Sequence, residues 1–467
     1  MSGRMLMKTK LWVLSIGIAA MTGALPPAPA WADTMTATVR DAVRNSPLRK
    51  AARADVAASA SELQGTRSGY LPSVTVFGDA GGEIVSSDSL SRSDNNRLKG
   101  TAQVGVQARY TLFDGYARAN SVYRAAARLD AGLFSMLAAS ETIALNAIEA
   151  YIDVQRHRQL LHIAKQNIQR HRQIGRLIRE RVAGGKSPAS DNFQIEERIL
   201  AARAVETEIK RALGEAIAKY RRVVGRSPRG STKITFAKRI PRSREALVHS
   251  AIANNAEIKN NNKLIAEAEY ARDVAKAGNA PNVFLEGRAT AGANRSGTSG
   301  ERLDAFVGLR LSWNLYDGGA TDSQADALAA RAGEAAYRRD LKIREIKEAA
   351  ERAWNSYING RNRVAILTAQ VQANKKIVRN YREEYELSKR SLLDVLDAER
   401  ARFNTDFQRI SVRAAYQYAP YRMLATQSKL VSYFGASGHV NVAKPRFEQR
   451  VLDKPQAVFD IHIEPLK

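Results

Sequence analysis

The sequence predicts a mostly α-helical chain built from two similar halves, each carrying a pair of strands of membrane-crossing length. A repeated turn sequence is evidence for the two halves, because Leu112-Phe113-Asp114-Gly115 recurs 203 positions later as Leu315-Tyr316-Asp317-Gly318. Residues 116–182 contain no proline, which permits a helix far longer than most globular ones. Before each turn, apolar and polar residues alternate as they do in β-strands.

The repeated turn belongs to an internal duplication. With the same offset, Tyr151 superposes on Trp354 and Asp191 on Asp394, far downstream of the turn. A repeat of about 200 residues indicates one architecture in two halves. The predicted division is a signal peptide at 1–32, a first repeat at 33–224, an inter-repeat linker at 225–242, a second repeat at 243–434 and an irregular C-terminal tail at 435–467.

The first residues have the features of a secretory signal peptide. Basic residues precede an apolar run at 11–25, and a small-x-small sequence at 30–32 supplies a cleavage site. The sequence contains no cysteine. It therefore has no disulfide, no thiolate metal site and no cysteine that could carry a lipid at the mature N-terminus.

The formal net charge of +26 raises the question of nucleic-acid binding. Export would separate the protein from most nucleic acid, and the basic residues are spread over every helix instead of forming one patch, so no nucleic-acid partner is expected. After residue 33 no run approaches 18 consecutive apolar residues, which argues against an ordinary membrane-spanning helix.

The strand pairs offer another way to cross a membrane. In the segment 102–112 the even-numbered residues form an apolar face and the odd-numbered residues a more polar one. Segments 74–80, 283–290 and 303–315 alternate in the same way. Strands of about 10 residues can cross a bilayer at a tilt, but four strands cannot close alone, because single-chain barrels begin at eight.

Each strand pair leads into a long helix through the repeated turn. The turn residues are Phe113, Asp114, Gly115, Tyr316, Asp317 and Gly318. An aspartate can accept a hydrogen bond from a helix N-terminal amide, and a glycine can adopt a positive φ. We therefore expect the turns to cap the helices that follow.

The helical segments predict two antiparallel hairpins. A helix of 67 residues over 116–182 would reach about 100 Å, and a second long helix is expected over 319–389. Shorter helices are expected over 191–224, capped by Ser190 or Asp191, and from Asp394 onward. Helices of this length need coiled-coil-like neighbours.

Sites for chemistry are not predicted. Three histidines lie on the first long helix, but their spacing does not match a paired metal motif. No glycine-rich phosphate loop follows a strand, and no serine has a nucleophile-elbow context. We expect no enzyme activity, no metal and no cofactor.

Charged and small residues concentrate where the hairpins turn. Helix capping would explain Asp191 and Asp394 but not Asp397, Arg390 or Tyr385. A gate or a docking surface is the alternative, and the residues leave both interpretations open. The candidate docking residues are Gly184, Gly185, Leu387, Ser388 and Ser391, although the glycines could simply make the turn.

The chain resembles the TolC-type outer-membrane channel proteins of type I secretion and multidrug efflux. The similarity extends over about residues 36–434 and includes the duplication and the Phe/Tyr-Asp-Gly turns. The most specific parts are Asn45-Ser46-Pro47-Leu48 and Arg390-Ser391-Leu392-Leu393-Asp394-Val395-Leu396-Asp397-Ala398-Glu399.

The resemblance implies a homotrimer whose strands close a 12-stranded transmembrane β-barrel in outer-membrane lipid, above a periplasmic α-helical barrel. It also implies a passive exit duct for proteins or small toxic compounds, engaged by a periplasmic adaptor and an inner-membrane ABC, RND or MFS transporter. A periplasmic coiled-coil adaptor or structural spacer is the alternative, but adaptors usually carry one helical hairpin and compact β-domains.

The resemblance further implies roles at the hairpin tips. Asp394 and Asp397 would line the periplasmic constriction, and Tyr385 and Arg390 would bond to the tip at Ser190 and Asp191 to hold it shut. The sequence departs from the family at Ser388, where a glycine is usual, and at the tip Gly184-Gly185-Lys186-Ser187-Pro188.

Overall fold

The computed structural model describes residues 34–230, 234–238, 240–297 and 299–436. The predicted signal peptide, 1–32, lies outside these residues, as does the predicted tail from residue 437 onward. The first residues of that tail are described, and Ala436 is buried against the hydrophobic core around the first long helix.

The helices and strands follow the same order in both halves. The first half contains α1 (Met35–Asn45), α2 (Pro47–Ser68), β1 (Ser73–Ile84), β2 (Leu98–Phe113), α3 (Ala117–Ala183) and α4 (Ser190–Val224). The second contains α5 (Arg244–Asn254), α6 (Ala256–Lys276), β3 (Asn282–Ala293), β4 (Glu301–Ser312), α7 (Ala320–Glu386), α8 (Leu392–Thr426) and the short α9 (Leu430–Tyr433). Short 3-10 turns at Ala277–Asn279 and Arg295–Gly297 flank β3.

The four strands form a single antiparallel sheet in the order β1-β2-β3-β4. The strands contain 12, 16, 12 and 12 residues, so they are longer than the predicted 10 or so. The central pairing joins the two halves of the chain, because β2 lies against β3 with Val106 opposite Ala289. Strands β1 and β4 are the two edges of the sheet.

The two long helices, α3 and α7, each contain 67 residues, which corresponds to about 100 Å. α3 pairs with α4 and α7 with α8, and α3 also packs against α2, α6 and α8. Their buried side chains form several separate hydrophobic clusters instead of one central core. Each helix is therefore stabilised by neighbours along its length.

Within the described residues, α3 is the one helix with an 18-residue stretch apolar enough to cross a membrane. This stretch is not an uninterrupted apolar run, so the sequence pattern did not predict it. The structure gives the apolar residues another role, since 56% of the stretch is buried inside the protein. Alanine and isoleucine here, including Ala144, Ala147 and Ile148, belong to the largest hydrophobic cluster.

The turns between sheet and long helices contain the expected aspartate contacts. Asp317 accepts hydrogen bonds from the backbone N–H groups of Gly319 at 3.0 Å and Thr321 at 2.8 Å. Asp114 accepts one from Arg118 at 3.1 Å. Gly115 has a φ of +62°, and a Cβ there would lie 2.4 Å from the Cβ of Ala280. Glycine is required by both its backbone angle and this close approach.

Candidate functional site at the hairpin tips

The tips of the two helical hairpins meet in one hydrophobic cluster. α3, α4, α7 and α8 all contribute to it, although the α3 and α7 residues lie about 200 positions apart in the sequence. The buried members are Ile174, Ile178, Ile195, Tyr385, Leu392, Val395 and Leu396. The residues that sequence analysis assigned to a gate and to a docking surface surround this cluster.

Both long helices end in the same hydrogen-bonded turn. The N–H of Lys186 donates to the carbonyl of Arg181 at 2.8 Å, and Lys389 donates to Glu384 at the same distance. The residue before each lysine is left-handed, with a φ of +69° at Gly185 and +61° at Ser388. These are Schellman turns, which satisfy the last carbonyls of a helix.

Ser388 is therefore a serine in a position that favours glycine. A side chain in this left-handed conformation costs about 1–2 kcal/mol relative to glycine. Its hydroxyl accepts a hydrogen bond from Arg181 Nη2 at 2.9 Å. Gly185, at the equivalent place in the first repeat, has open space where a side chain would project.

Arg181 joins the two tips. Beyond its bond to Ser388, it donates to the backbone carbonyl of Glu386 at 3.1 Å, and its guanidinium carbon lies 4.9 Å from the centre of the Tyr385 ring. Sequence analysis did not select this residue. The duplication could have identified Arg181, because it is equivalent to Glu384. Each of these two side chains hydrogen-bonds the residue six positions further on, Ser187 and Arg390 respectively.

The predicted helix caps need correction. Ser391, and not Asp394, is the N-cap of α8, and the Ser391 hydroxyl accepts from the Asp394 N–H at 3.2 Å. Asp394 completes a capping box, because its carboxylate accepts from the Ser391 backbone N–H at 3.4 Å. Neither Ser190 nor Asp191 caps α4, whose N-cap is Ala189 without a side-chain bond. Helix α4 begins one residue earlier than predicted, and so these side chains lie inside its first turn.

Asp191 and Asp394 differ although the duplication makes them equivalent. The Asp191 side chain is buried, and this burial raises the pKa of its carboxyl, while nearby Arg181 opposes the rise. Asp394 is half-exposed, and its carboxylate accepts a hydrogen bond from the Ser391 hydroxyl at 2.8 Å. Asp397 is the most exposed of the three, and its carboxylate lies 3.8 Å from Arg198 on α4.

The partners of Arg390 and Tyr385 within the chain differ from those that the resemblance implied. Arg390 Nε donates to Glu384 at 2.9 Å, and the Tyr385 hydroxyl lies 3.3 Å from the Ser187 hydroxyl. Ser187 is the tip residue that reaches Tyr385 because Ser190 and Asp191 are already part of α4. The predicted bonds to Ser190 and Asp191 are therefore not made inside this chain.

Four charged residues form a second cluster, which sequence analysis missed. The carboxylate of Glu399 is fully buried on α8 and is approached by guanidinium groups from α3, α7 and α8. Arg170 Nε lies 3.1 Å from Glu399 Oε2, Arg402 Nη1 lies 3.9 Å away, and Arg382 donates to the other oxygen. We call these four residues the Glu399 cluster.

Two of the three histidines of α3 bond to the backbone of their own helix. His171 is buried, its Nδ1 is 2.9 Å from the backbone carbonyl of Asn167, and burial lowers the pKa of the imidazole. His157 Nδ1 is 3.0 Å from the carbonyl of Asp153 in the same way. In the described part of the chain, no group of three or more metal-ligating side chains comes together.

The model of the family described as Outer membrane efflux protein matches residues 38–226 and 247–424. The chain belongs to this family. The match includes both long helices, the sheet and the two hairpin tips. The chain is thus an outer-membrane protein that extends into the periplasm, which argues against the alternative of a periplasmic adaptor.

Similar proteins agree with the family assignment. The chain is 25% identical over 371 residues to the outer membrane efflux protein BepC of Brucella suis, spanning 79% of this chain and 80% of BepC. It is 23% identical to the alkaline protease secretion protein AprF of Pseudomonas aeruginosa, spanning 57% of each. The crystal structure of the outer membrane protein VceC of Vibrio cholerae superposes with a TM-score of 0.74 at 16% identity, covering 86% of this chain and 96% of VceC.

The predicted fold class is confirmed by this likeness. The chain is mostly α-helical, with long helical hairpins and strands that contribute to a β-barrel, as in the TolC-type channels. The family consists of transport proteins rather than enzymes.

Proposed function

We propose that this protein is the outer-membrane exit duct of a tripartite type I secretion or efflux system. Two 67-residue helices that continue from a membrane-length sheet carry the proposal, because they can form a passage of about 100 Å below the membrane. Cargo would pass without chemistry when an inner-membrane transporter and a periplasmic adaptor engage the duct.

Assembly as a homotrimer follows from the edges of the sheet. Strands β1 and β4 present unpaired backbone groups, which cannot remain unsatisfied in lipid. One face of the sheet exposes apolar side chains, with Leu303 78% and Val307 79% exposed in the single chain. Three copies would pair these edges into a 12-stranded barrel with the apolar face in lipid.

The hairpin tips are the proposed gate and adaptor-docking site. The gate residues are Asp394, Asp397, Arg390, Tyr385, Ser190 and Asp191, and the docking residues are Gly184, Gly185, Leu387, Ser388 and Ser391. The tips are the far end of the long helices, so they face the periplasmic partners. Leu387 is 67% exposed and Gly185 is open, which leaves room for another helix to pack.

The cargo is either small compounds or proteins, since BepC is named as an efflux protein and AprF as a protease secretion protein. Deleting the gene from its source bacterium distinguishes them. Intracellular dye accumulation should rise if small compounds are the cargo, and a protein should disappear from the culture medium if the duct serves secretion. The complementing chain should be recovered as a trimer from the outer membrane, and a stable monomer in that fraction would contradict the proposal.

A further inference from the structure

The two faces of the β-sheet differ in charge. On the face that contains Val106 and Leu309, the only charged strand residue is Glu301, at one end of β4. The other face contains charged side chains from all four strands. A charge on the lipid side of a barrel is costly, so the charged face lines the lumen. This assignment rests on the proposed function.

Three arginines lie on the lumen face, at the middle of the sheet and toward the helices. The register places Arg109 opposite Glu286, Arg288 opposite Phe306, and Arg310 opposite Phe284. We call Arg109, Arg288 and Arg310 the lumen arginine band.

Phenylalanine rings accompany these arginines. The guanidinium carbon of Arg109 lies 3.6 Å from the centre of the Phe284 ring, and that of Arg288 lies 5.1 Å from the Phe77 ring. Phe77 in turn covers Gly105, where a Cβ would lie 2.6 Å from its Cζ. Cation–π contacts of this kind hold a guanidinium group near a ring without neutralising its charge.

The band has an excess of positive charge. Glu286 is shared by Arg109 at 3.6 Å and Arg310 at 2.9 Å. Arg288 is exposed, and no acidic side chain of the described residues pairs with it. One carboxylate therefore faces three guanidinium groups, which leaves two positive charges for each chain.

The outer part of the same face has no positive excess, because Glu83 adds a carboxylate to the ion pairs found there. Arg295 pairs with Asp79 at 2.5 Å, Arg302 with Asp304 at 2.9 Å, and Lys99 with Asp94. The positive excess is thus confined to the arginine band.

We propose that the lumen arginine band is an anion-recognition site of the barrel, which interacts with carboxylate or phosphate groups of the cargo as it leaves. Rings of arginine favour anions in pores, and guanidinium groups match carboxylate and phosphate geometry. In the trimer the band would supply six excess positive charges. Its sign is opposite to that of the aspartates at the periplasmic tips.

Channel block by inorganic triphosphate tests the site. Mature protein is inserted into planar bilayers, and triphosphate is added on the extracellular side, where the band is reached without passing the tips. R288Q should weaken block at least about tenfold, as expected when a charge-assisted hydrogen bond is lost. R288K retains the charge and should retain most of the block.

R92Q is the matched control, because Arg92 is an exposed arginine of the β1–β2 loop and its loss should leave block unchanged. Equal block constants for the parent and an R109Q/R288Q/R310Q variant that conducts normally would overturn the anion site while leaving the duct intact. If the parent chain forms neither trimers nor channels, the proposed function fails instead.

Discussion

Arg170 and Glu399 connect the two helical hairpins through a buried ion pair. Arg170 Nε, on α3, lies 3.1 Å from Glu399 Oε2, on α8, and the Glu399 side chain has no exposed surface. Arg382 and Arg402 approach the same carboxylate from α7 and α8. A single negative charge thus holds three positive groups of both hairpins together.

Replacing Glu399 by Gln should destabilise the protein strongly. Removing one partner of a buried ion pair costs about 3–5 kcal/mol, and the partial exposure of the three arginines places the loss at the lower end. Thermal unfolding of detergent-solubilised protein measures this loss of stability. E348Q removes an exposed carboxylate paired with Arg352 on α7 and should have little effect. Equal melting temperatures for the two variants would contradict this role.

Replacing Arg181 by Ala should raise resting conductance. The variant loses the bonds to Glu386 and Ser388, and a loss of about 1 kcal/mol shifts an opening equilibrium about fivefold. R172A, an exposed arginine of the same helix, is the control in planar-bilayer recordings. Conductance of R181A indistinguishable from that of R172A would show that the contact between the tips does not restrain the gate.

Replacing Asp397 by Asn should reduce cation selectivity without altering the helix start. Its carboxylate is 57% exposed, whereas that of Asp394 also serves the capping box. D394N/D397N should reduce selectivity further and loosen α8. Reversal potentials in a salt gradient measure the change, with E334Q on the exposed part of α7 as control. An unaltered reversal potential in D397N would argue against a charged constriction.

Replacing Gly185 by Trp should prevent adaptor docking while trimers still form. Both G185W and G185A incur the cost of a side chain at a φ of +69°, but only Trp adds bulk to the open space there. Export should therefore fail in G185W and persist in G185A, as measured by secretion or dye efflux in cells. Failure of both variants, or loss of the trimer, would indicate that the glycine serves the turn alone.

Glu141 should make stability depend on pH. Its carboxylate accepts hydrogen bonds from the backbone N–H groups of Leu430 and Val431 at 2.9 and 3.0 Å, yet burial dominates and raises the pKa of Glu141 to about 8. Between its ordinary pKa of 4.5 and 8, the folded chain holds a proton that the unfolded chain has released. The contribution of Glu141 to stability is therefore present below that window and falls as pH rises through it.

The E141Q variant isolates this effect, since glutamine does not titrate. The melting temperature of the parent relative to that of E141Q should decrease as the buffer pH is raised from about 5 to about 8. A difference that stays constant over this range would mean that the Glu141 pKa is not raised.

The helices and strands of this protein could be predicted from the sequence, because the patterns that produce them are local or repeated. Alternation with a period of two marks the strands, and the absence of proline marks the long helices. The duplication identified the equivalent turns at Asp114 and Asp317. The TolC-type family could be recognised from the string that ends at Glu399.

Which side chains meet could not be predicted from the sequence, because the contacts depend on how the hairpins pack. Arg181 and Ser388 lie 207 positions apart and Arg170 and Glu399 even further, and such pairs form only after the hairpins pack side by side. The same packing buries Asp191 and leaves its duplicate Asp394 half-exposed. The duplication makes the two aspartates equivalent and places both in the first turn of a helix. Their burial and partners depend on the neighbouring helices, which differ between the two halves.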